Sequence, residues 1–266
     1  MRILETENIS KRFPGVQALD DVSISVRGGE VMGLVGENGA GKSTLIKVIM
    51  GAYKPDSGRI RLDGHEVHIS SPLESRSLGL NAVYQDITIA PELTVGENFF
   101  LGNVPRDRLG LVDWGSIYAK SQKTLSDLGI NVDSRSLISD LSPGEQTMVT
   151  IAKIVREKAK FVIFDEPTAR LTTEDTEMLF DLITRLKDEN LGIIYISHRL
   201  EEIFAICDKV TVLRDGQVVN TAPIDEVNED LLISWMVGRD LSEMYNIDHR
   251  SPGDVVLKVD RITHKP

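Results

Sequence analysis

The chain has 266 residues and a net charge of −11, with 41% hydrophobic and 27% charged residues. This is long enough for one large domain or two small ones with a buried core, and the acidic balance argues against a nucleic-acid groove, which needs clustered Lys and Arg. No basic start with an apolar run behind it marks a signal peptide, and no stretch approaches the about 18 apolar residues of a membrane span. The single cysteine, Cys207, has no internal partner and suits a reducing cytosol, where it reads as a small buried residue rather than a reactive thiol.

Residues 3–13 and 19–26 read as strands, and in the second Val22, Ile24 and Val26 alternate with Ser23 and Ser25. A turn at Arg27-Gly28-Gly29-Glu30 leads to Val31-Met32-Gly33-Leu34-Val35, an apolar run with the character of a buried parallel strand. Next comes Gly36-Glu37-Asn38-Gly39-Ala40-Gly41-Lys42-Ser43, which fits G-x-x-x-x-G-K-[ST] at every fixed position. Glycines at 36, 39 and 41 allow positive φ and let backbone N–H groups close around a phosphate chain. The following helix, apolar on most sides, adds its positive N-terminal end. Lys42 would then reach the β- and γ-phosphates, and the Ser43 hydroxyl would sit on Mg²⁺. Taken alone, a Gly-rich strand–helix turn that binds nothing remains the alternative.

Past Gly51, residues 59–62 and 66–69 around Asp63-Gly64 predict a hairpin. Ser71-Pro72-Leu73-Glu74 is a capping box opening a short helix, and residues 81–84 form a strand that ends at Gln85. From 86 to about 160 the strand signals vanish. Thr94 with Glu97 caps a helix to 101, and residues 115–128 carry apolar side chains at helical spacing. Leu141-Ser142-Pro143-Gly144-Glu145-Gln146 opens a further helix, with Ser142 as cap and Glu145 three residues on. The cap accounts for these residues structurally, although a helix start with a Ser and a Gly is also an anion site. The segment predicts a helical insertion in an α/β core.

The core resumes with a strand at 161–164, a helix at 173–190, a strand at 193–196, a helix at 199–206 and a hairpin turning at Asp215-Gly216. Asp165 and Glu166 end the first of these strands: in a phosphate-loop protein Asp165 holds Mg²⁺, and Glu166 is placed to take a proton from an attacking water. His198 ends the next strand, and parallel neighbours would bring it to the same sheet edge. Alone it would be an ordinary surface or core histidine. Gln85 could touch the metal or the attacking water, or be a plain loop glutamine. Finally, residues 256–263 echo 3–10 in apolar pattern, as the start of a second copy behind a linker at 251–254 would.

With these motifs in order, the chain resembles the ATP-binding subunits of ABC transporters to about residue 238. Residues 36–43 match the Walker A loop, Gln85 the Q-loop, 141–145 the signature, 161–165 with Glu166 Walker B and the catalytic base, 169–172 the D-loop, and His198 the switch histidine. Within the family, residues 11–19, 195–203 and 236–239 are similar to the N-terminal half of tandem-cassette monosaccharide importers of the ribose, xylose and galactoside type.

The resemblance implies an α/β fold: a P-loop NTPase (RecA-like) core, with an N-terminal antiparallel β subdomain and an inserted α-helical subdomain. It implies a nucleotide-binding domain over 1–240, with core 1–86 and 159–240 and helical part 87–158, then a linker at 241–254 and a truncated second cassette at 255–266. It implies an ATPase with ATP and Mg²⁺ as cofactors. Catalysis would fall to Lys42, Gln85, Glu166 and His198. The nucleotide would be held by Phe13, stacked on adenine, and by Gly36, Glu37, Asn38, Gly39, Ala40, Gly41, Lys42, Ser43 and Thr44. Mg²⁺ would be held by Ser43, Gln85 and Asp165, and Ser142, Gly144 and Glu145 would serve a partner's nucleotide.

The partners it implies are a second cassette (the C-terminal half of the same polypeptide, or a second copy), membrane permease subunits and, indirectly, an extracytoplasmic sugar-binding protein. No nucleic acid is among them, and the place is the cytoplasmic face of the membrane. The alternatives are a soluble, non-transport ATPase of the same superfamily and an ATP-sensing module without turnover. Two departures stand out. Pro143 and Glu145 replace the usual Gly and Gln of the signature, and Arg170 and Thr172 replace a small residue and Asp in the D-loop. Pro143 has no N–H to offer a phosphate, and Glu145 would repel one unless turned back onto its own helix cap.

Overall fold

The computed structural model describes residues 2–84 and 89–238 together with Lys258. Strands β1 (Ile3–Phe13) and β2 (Val16–Arg27) form a hairpin, followed by β3 (Val31–Val35) and α1 (Lys42–Ile49). A second hairpin, β4 (Ser57–Leu62) and β5 (His65–Val67), precedes α2 (Pro72–Ser77) and β6 (Leu80–Val83). Helices α3 (Val95–Phe99), α4 (Trp114–Asp127) and α5 (Pro143–Arg156) come next. The chain then alternates through β7 (Phe161–Asp165), α6 (Thr173–Asp188), β8 (Gly192–Ile196) and α7 (Leu200–Ile206), and closes with β9 (Lys209–Arg214), β10 (Gln217–Pro223) and α8 (Glu229–Val237).

The strands sort into two sheets by the chemistry of their connections. Tight turns join β1 to β2 and β4 to β5, and these four form an antiparallel sheet in the order β2-β1-β4-β5. The second strand starts three residues earlier than the 19–26 expected, because Pro14-Gly15 makes a turn short enough for Val16 to pair with Phe13. Helical crossovers give the other sheet, in the order β10-β9-β3-β8-β7-β6, where β9, β3, β8, β7 and β6 run parallel and β10 is an antiparallel edge.

Alternate residues of the parallel strands enter two cores, as a sheet covered on both faces requires. On one face Val31 and Val35, Val162 and Phe164, and Ile193 and Tyr195 pack with Met148, Ile151, Leu179, Leu182 and Ile183 from α5 and α6. On the other, Met32 and Leu34, Phe161 and Ile163, and Ile194 and Ile196 pack with Leu45, Ile46 and Ile49 of α1 and with the antiparallel sheet. Each buried aliphatic side chain contributes about 1.5–3 kcal/mol. The phosphate-loop helix is thus clamped between two sheets, which fixes its N-terminus at the sheet edge.

One element escapes the sequence pattern. In α8, Leu231, Leu232, Ile233, Trp235 and Met236 run almost contiguously instead of at helical spacing, and of these only Leu232 is fully buried. Its start is nonetheless chemically marked, since the Asn228 side chain accepts from the Leu231 N–H at 2.8 Å. The linker at 241–254 and most of the second-copy segment at 255–266 lie outside the described residues, as does Gln85.

Candidate functional site

The glycine-rich loop leaves β3 and is shaped by backbone contacts with distant segments. Gly36 has φ +153, and a Cβ there would stand 2.1 Å from the Leu213 carbonyl oxygen. Gly41, at φ +106, would drive a Cβ to 2.7 Å from the Ala18 carbonyl. The Gly216 N–H donates to Ala40 at 3.1 Å, and the Asp20 N–H donates to Gly216 at 2.8 Å. Glu37, Asn38 and Gly39 form the exposed apex, while Gly36 and Ala40 are buried. Helix α1 begins without a side-chain cap and without an acid in its first turn, so its N–H groups and positive dipole end remain for an anion.

The Lys42 ammonium donates to the Gly36 carbonyl at 2.6 Å and to the Glu37 carbonyl at 3.1 Å, curled inside the loop. Burial pushes its pKa down, against the opposing pull of the Glu166 and Asp165 charges.

Pairing of β7 with β8, and of β8 with β3, carries the chain past the same sheet edge three times. Asp165 is the last residue of β7, and burial, reinforced by the charge of Glu166, raises its pKa against the pull of Lys42. Glu166 follows with φ +52, a left-handed conformation that a Glu rarely adopts, and its N–H donates to the Ile196 carbonyl at 3.0 Å. That bend turns its carboxylate toward β8, where Glu166 Oε1 lies 2.6 Å from His198 Nε2.

An open cleft of about 290 Å³ is lined by Phe13, Asn38, Gly39, Ala40, Gly41, Lys42, Ser43, Thr44, Asp165, Glu166 and His198. Residues from 13 to 198 in the sequence therefore meet at one place. Val16 and Ala18 also line it, and Tyr53 braces Phe13 edge-on with ring centroids 5.3 Å apart. These three were not legible beforehand: Val16 and Ala18 are ordinary residues of β2, and Tyr53 is a turn residue between α1 and β4. Gly36, buried, and Glu37, exposed, do not line the cleft, and their carbonyls accept from Lys42.

Among the described residues no group of three or more His, Cys, Asp or Glu side chains could hold a metal by themselves. A hydroxyl at Ser43 and one carboxylate at Asp165, facing the same cleft, fit instead a Mg²⁺ that draws its other ligands from phosphate and water.

The start of α5 differs from a bare anion site. Ser142 Oγ accepts from the Glu145 N–H at 3.2 Å, and the Glu145 carboxylate accepts from the Ser142 N–H at 2.8 Å, so Glu145 is turned back onto its own cap. Gly144 is buried, and a Cβ there would stand 2.2 Å from the Asp175 carboxylate at the start of α6. The expectation that Gly144 could donate to a phosphate meets this contact: Asp175 stands against the glycine, which serves close helix packing here. Thr172 caps α6 in the same way, its hydroxyl accepting from the Asp175 N–H at 3.2 Å.

A model of the family described as ABC transporter matches residues 19–169. The chain is 46% identical over 257 residues to the ribose import ATP-binding protein RbsA 1 of Rubrobacter xylanophilus, covering 97% of this chain and 51% of that protein. It thus spans about half the length of that relative.

Solved structures agree on the fold. A nucleotide-free ATP-binding cassette from an ABC transporter superposes with a TM-score of 0.75 at 29% identity, over 90% of this chain and 96% of that one. An ATP-binding cassette in its ADP conformation gives 0.75 at 29%, over 92% and 98%. For cbiO1 of Clostridium perfringens, part of the ABC transporter complex cbiONQ, the values are 0.75 and 26%, over 91% and 97%.

Proposed function

This chain belongs to the ABC transporter family, and we propose that it is a cassette that binds ATP with Mg²⁺ and hydrolyses it to power import of a sugar. The observation that carries the proposal is the 2.6 Å contact between Glu166 and His198, from the ends of two neighbouring strands, in the cleft of the phosphate loop. A binding-only module has no need of that pair. The name of the 46% identical relative supports a sugar as the cargo.

In this reading Phe13 stacks on the adenine, and the N–H groups of residues 38–44 surround the phosphates. Lys42 exchanges its loop carbonyls for phosphate oxygens. Ser43 and Asp165, with Gln85, would hold Mg²⁺, which would offset the phosphate charge. Glu166 orients the attacking water and accepts its proton, while His198 fixes the carboxylate and donates toward the γ-phosphate. The exposed Ser142 end of α5 would meet a partner cassette, with Gly144 and Glu145 shaping that end from behind, and the partner would be the C-terminal half of a longer polypeptide or a second copy. Permease subunits receive the motion, and an extracytoplasmic sugar-binding protein acts through them. No described helix is long and apolar enough to cross a membrane, so these partners would hold the cassette at the cytoplasmic face.

The test is phosphate release from Mg-ATP by this chain, alone and within the tandem protein, compared with Glu166→Gln. We expect turnover to fall about 10²- to 10⁴-fold while a fluorescent ATP analogue binds within about twofold of the wild type, because the loop is untouched. Unchanged turnover would overturn the assignment.

A further inference from the structure

A buried carboxylate outside the cleft ties together the two segments that carry the reacting pair. Glu202, on α7, is 5% exposed, and it accepts from three hydroxyls: Thr168 at 2.8 Å, Tyr195 at 2.9 Å and Ser197 at 2.7 Å. The Arg199 guanidinium stands 3.5 Å from the same group. The partners belong to two separate pieces of chain, one after β7 and one at the end of β8. Thr168 lies two residues after Glu166, Ser197 directly precedes His198, and Tyr195 is fully buried within β8.

Each contact bears on the local backbone. The Ser197 hydroxyl also accepts from the Arg199 N–H at 3.0 Å, so the turn around His198 is closed by a side chain that Glu202 holds. On the other side, the Thr168 carbonyl accepts from the Leu171 N–H at 3.1 Å, and the Glu166 carbonyl from the Ala169 N–H at 3.3 Å, which closes the turn after Glu166. A left-handed Glu persists only where its surroundings over-determine it. We infer that Glu202 is a positioning residue for the Glu166–His198 pair, one buried carboxylate gripping both turns that present them. The inference rests on the hydrolytic reading of that pair.

Four variants test it: Glu202→Ala, Glu202→Gln, Ser197→Ala and Thr168→Val. Misplacing a reacting group by an ångström costs about a hundredfold, so Glu202→Ala should lower kcat about tenfold to a hundredfold. KM for Mg-ATP and the affinity for a fluorescent ATP analogue should stay within about twofold, because the phosphate loop is not touched. Glu202→Gln should restore most of kcat, since the amide oxygen still accepts and Thr168 can reverse its hydrogen bond. A purely structural role would lower the amount of folded protein without this split of kcat from KM.

A folded Glu202→Ala with wild-type kcat would overturn the inference. Should that variant fail to fold, Ser197→Ala and Thr168→Val carry the test: each should lower kcat at constant KM, and wild-type kcat in both would overturn it. A crystal structure of Glu202→Ala, or of the two hydroxyl variants, adds an arm independent of turnover. A Glu166–His198 contact still at its 2.6 Å would sink the positioning role even if hydrolysis proves absent, and absent hydrolysis by the wild-type chain would sink the functional reading alone.

Discussion

Asp165 is a carboxyl held where its charge is unwelcome, half-buried at the end of β7 beside Glu166. A carboxyl whose folded pKa is raised contributes stability at low pH that is lost as pH rises through the folded value. Asp165→Asn should therefore raise Tm at neutral pH in chelator without nucleotide, and the gain should shrink as pH falls from the raised value of Asp165 toward the ordinary aspartate range, to vanish below it. An equal or lower Tm at neutral pH would contradict this. Cys207 shows the opposite, inert case, since burial pushes its thiol up and keeps it protonated. Lys42, Asp165, Glu166 and His198 were singled out from motif spacing at or after the ends of strands, and the structure brings all four to one cleft. The left-handed turn at Glu166 was not legible, because no glycine marks it.

At the scale of elements, helix starts were the most legible feature. Ser142 with Glu145, and Thr94 with Glu97, form complete capping boxes where the sequence pattern placed them. Ser142→Ala should cost about 1 kcal/mol, read as a lower denaturant midpoint at unchanged slope. A midpoint shift near zero would mean that Pro143 alone fixes the helix start. What the pattern concealed is that Asp175, from another helix, packs on Gly144. Contacts between elements leave no trace in local periodicity, and for the same reason α8 was missed, its apolar residues lacking a stripe.

The whole molecule follows from connection length. Two-residue turns made the β1–β2, β4–β5 and β9–β10 hairpins and helical crossovers the parallel pairs, so these were predictable, whereas the β1–β4 pairing that joins two hairpins into one sheet was not. The order of the parallel strands was not predictable either, since every permutation buries the same apolar runs. That order places the β9–β10 turn against the phosphate loop, where Gly216 donates to Ala40 and accepts from Asp20, and the Leu213 carbonyl leaves Gly36 no room for a side chain. A loop moulded by main chain on three sides has little freedom left to surrender when a ligand arrives. Its association should thus be largely free of an ordering cost, and calorimetry should record no large unfavourable entropy beyond that of the ligand itself. The Asp20 and Gly216 amides should exchange with deuterium as slowly in the ligand-free protein as in the nucleotide complex, and rapid exchange without ligand would show a loop assembled only on binding. The chain keeps its grip formed in advance.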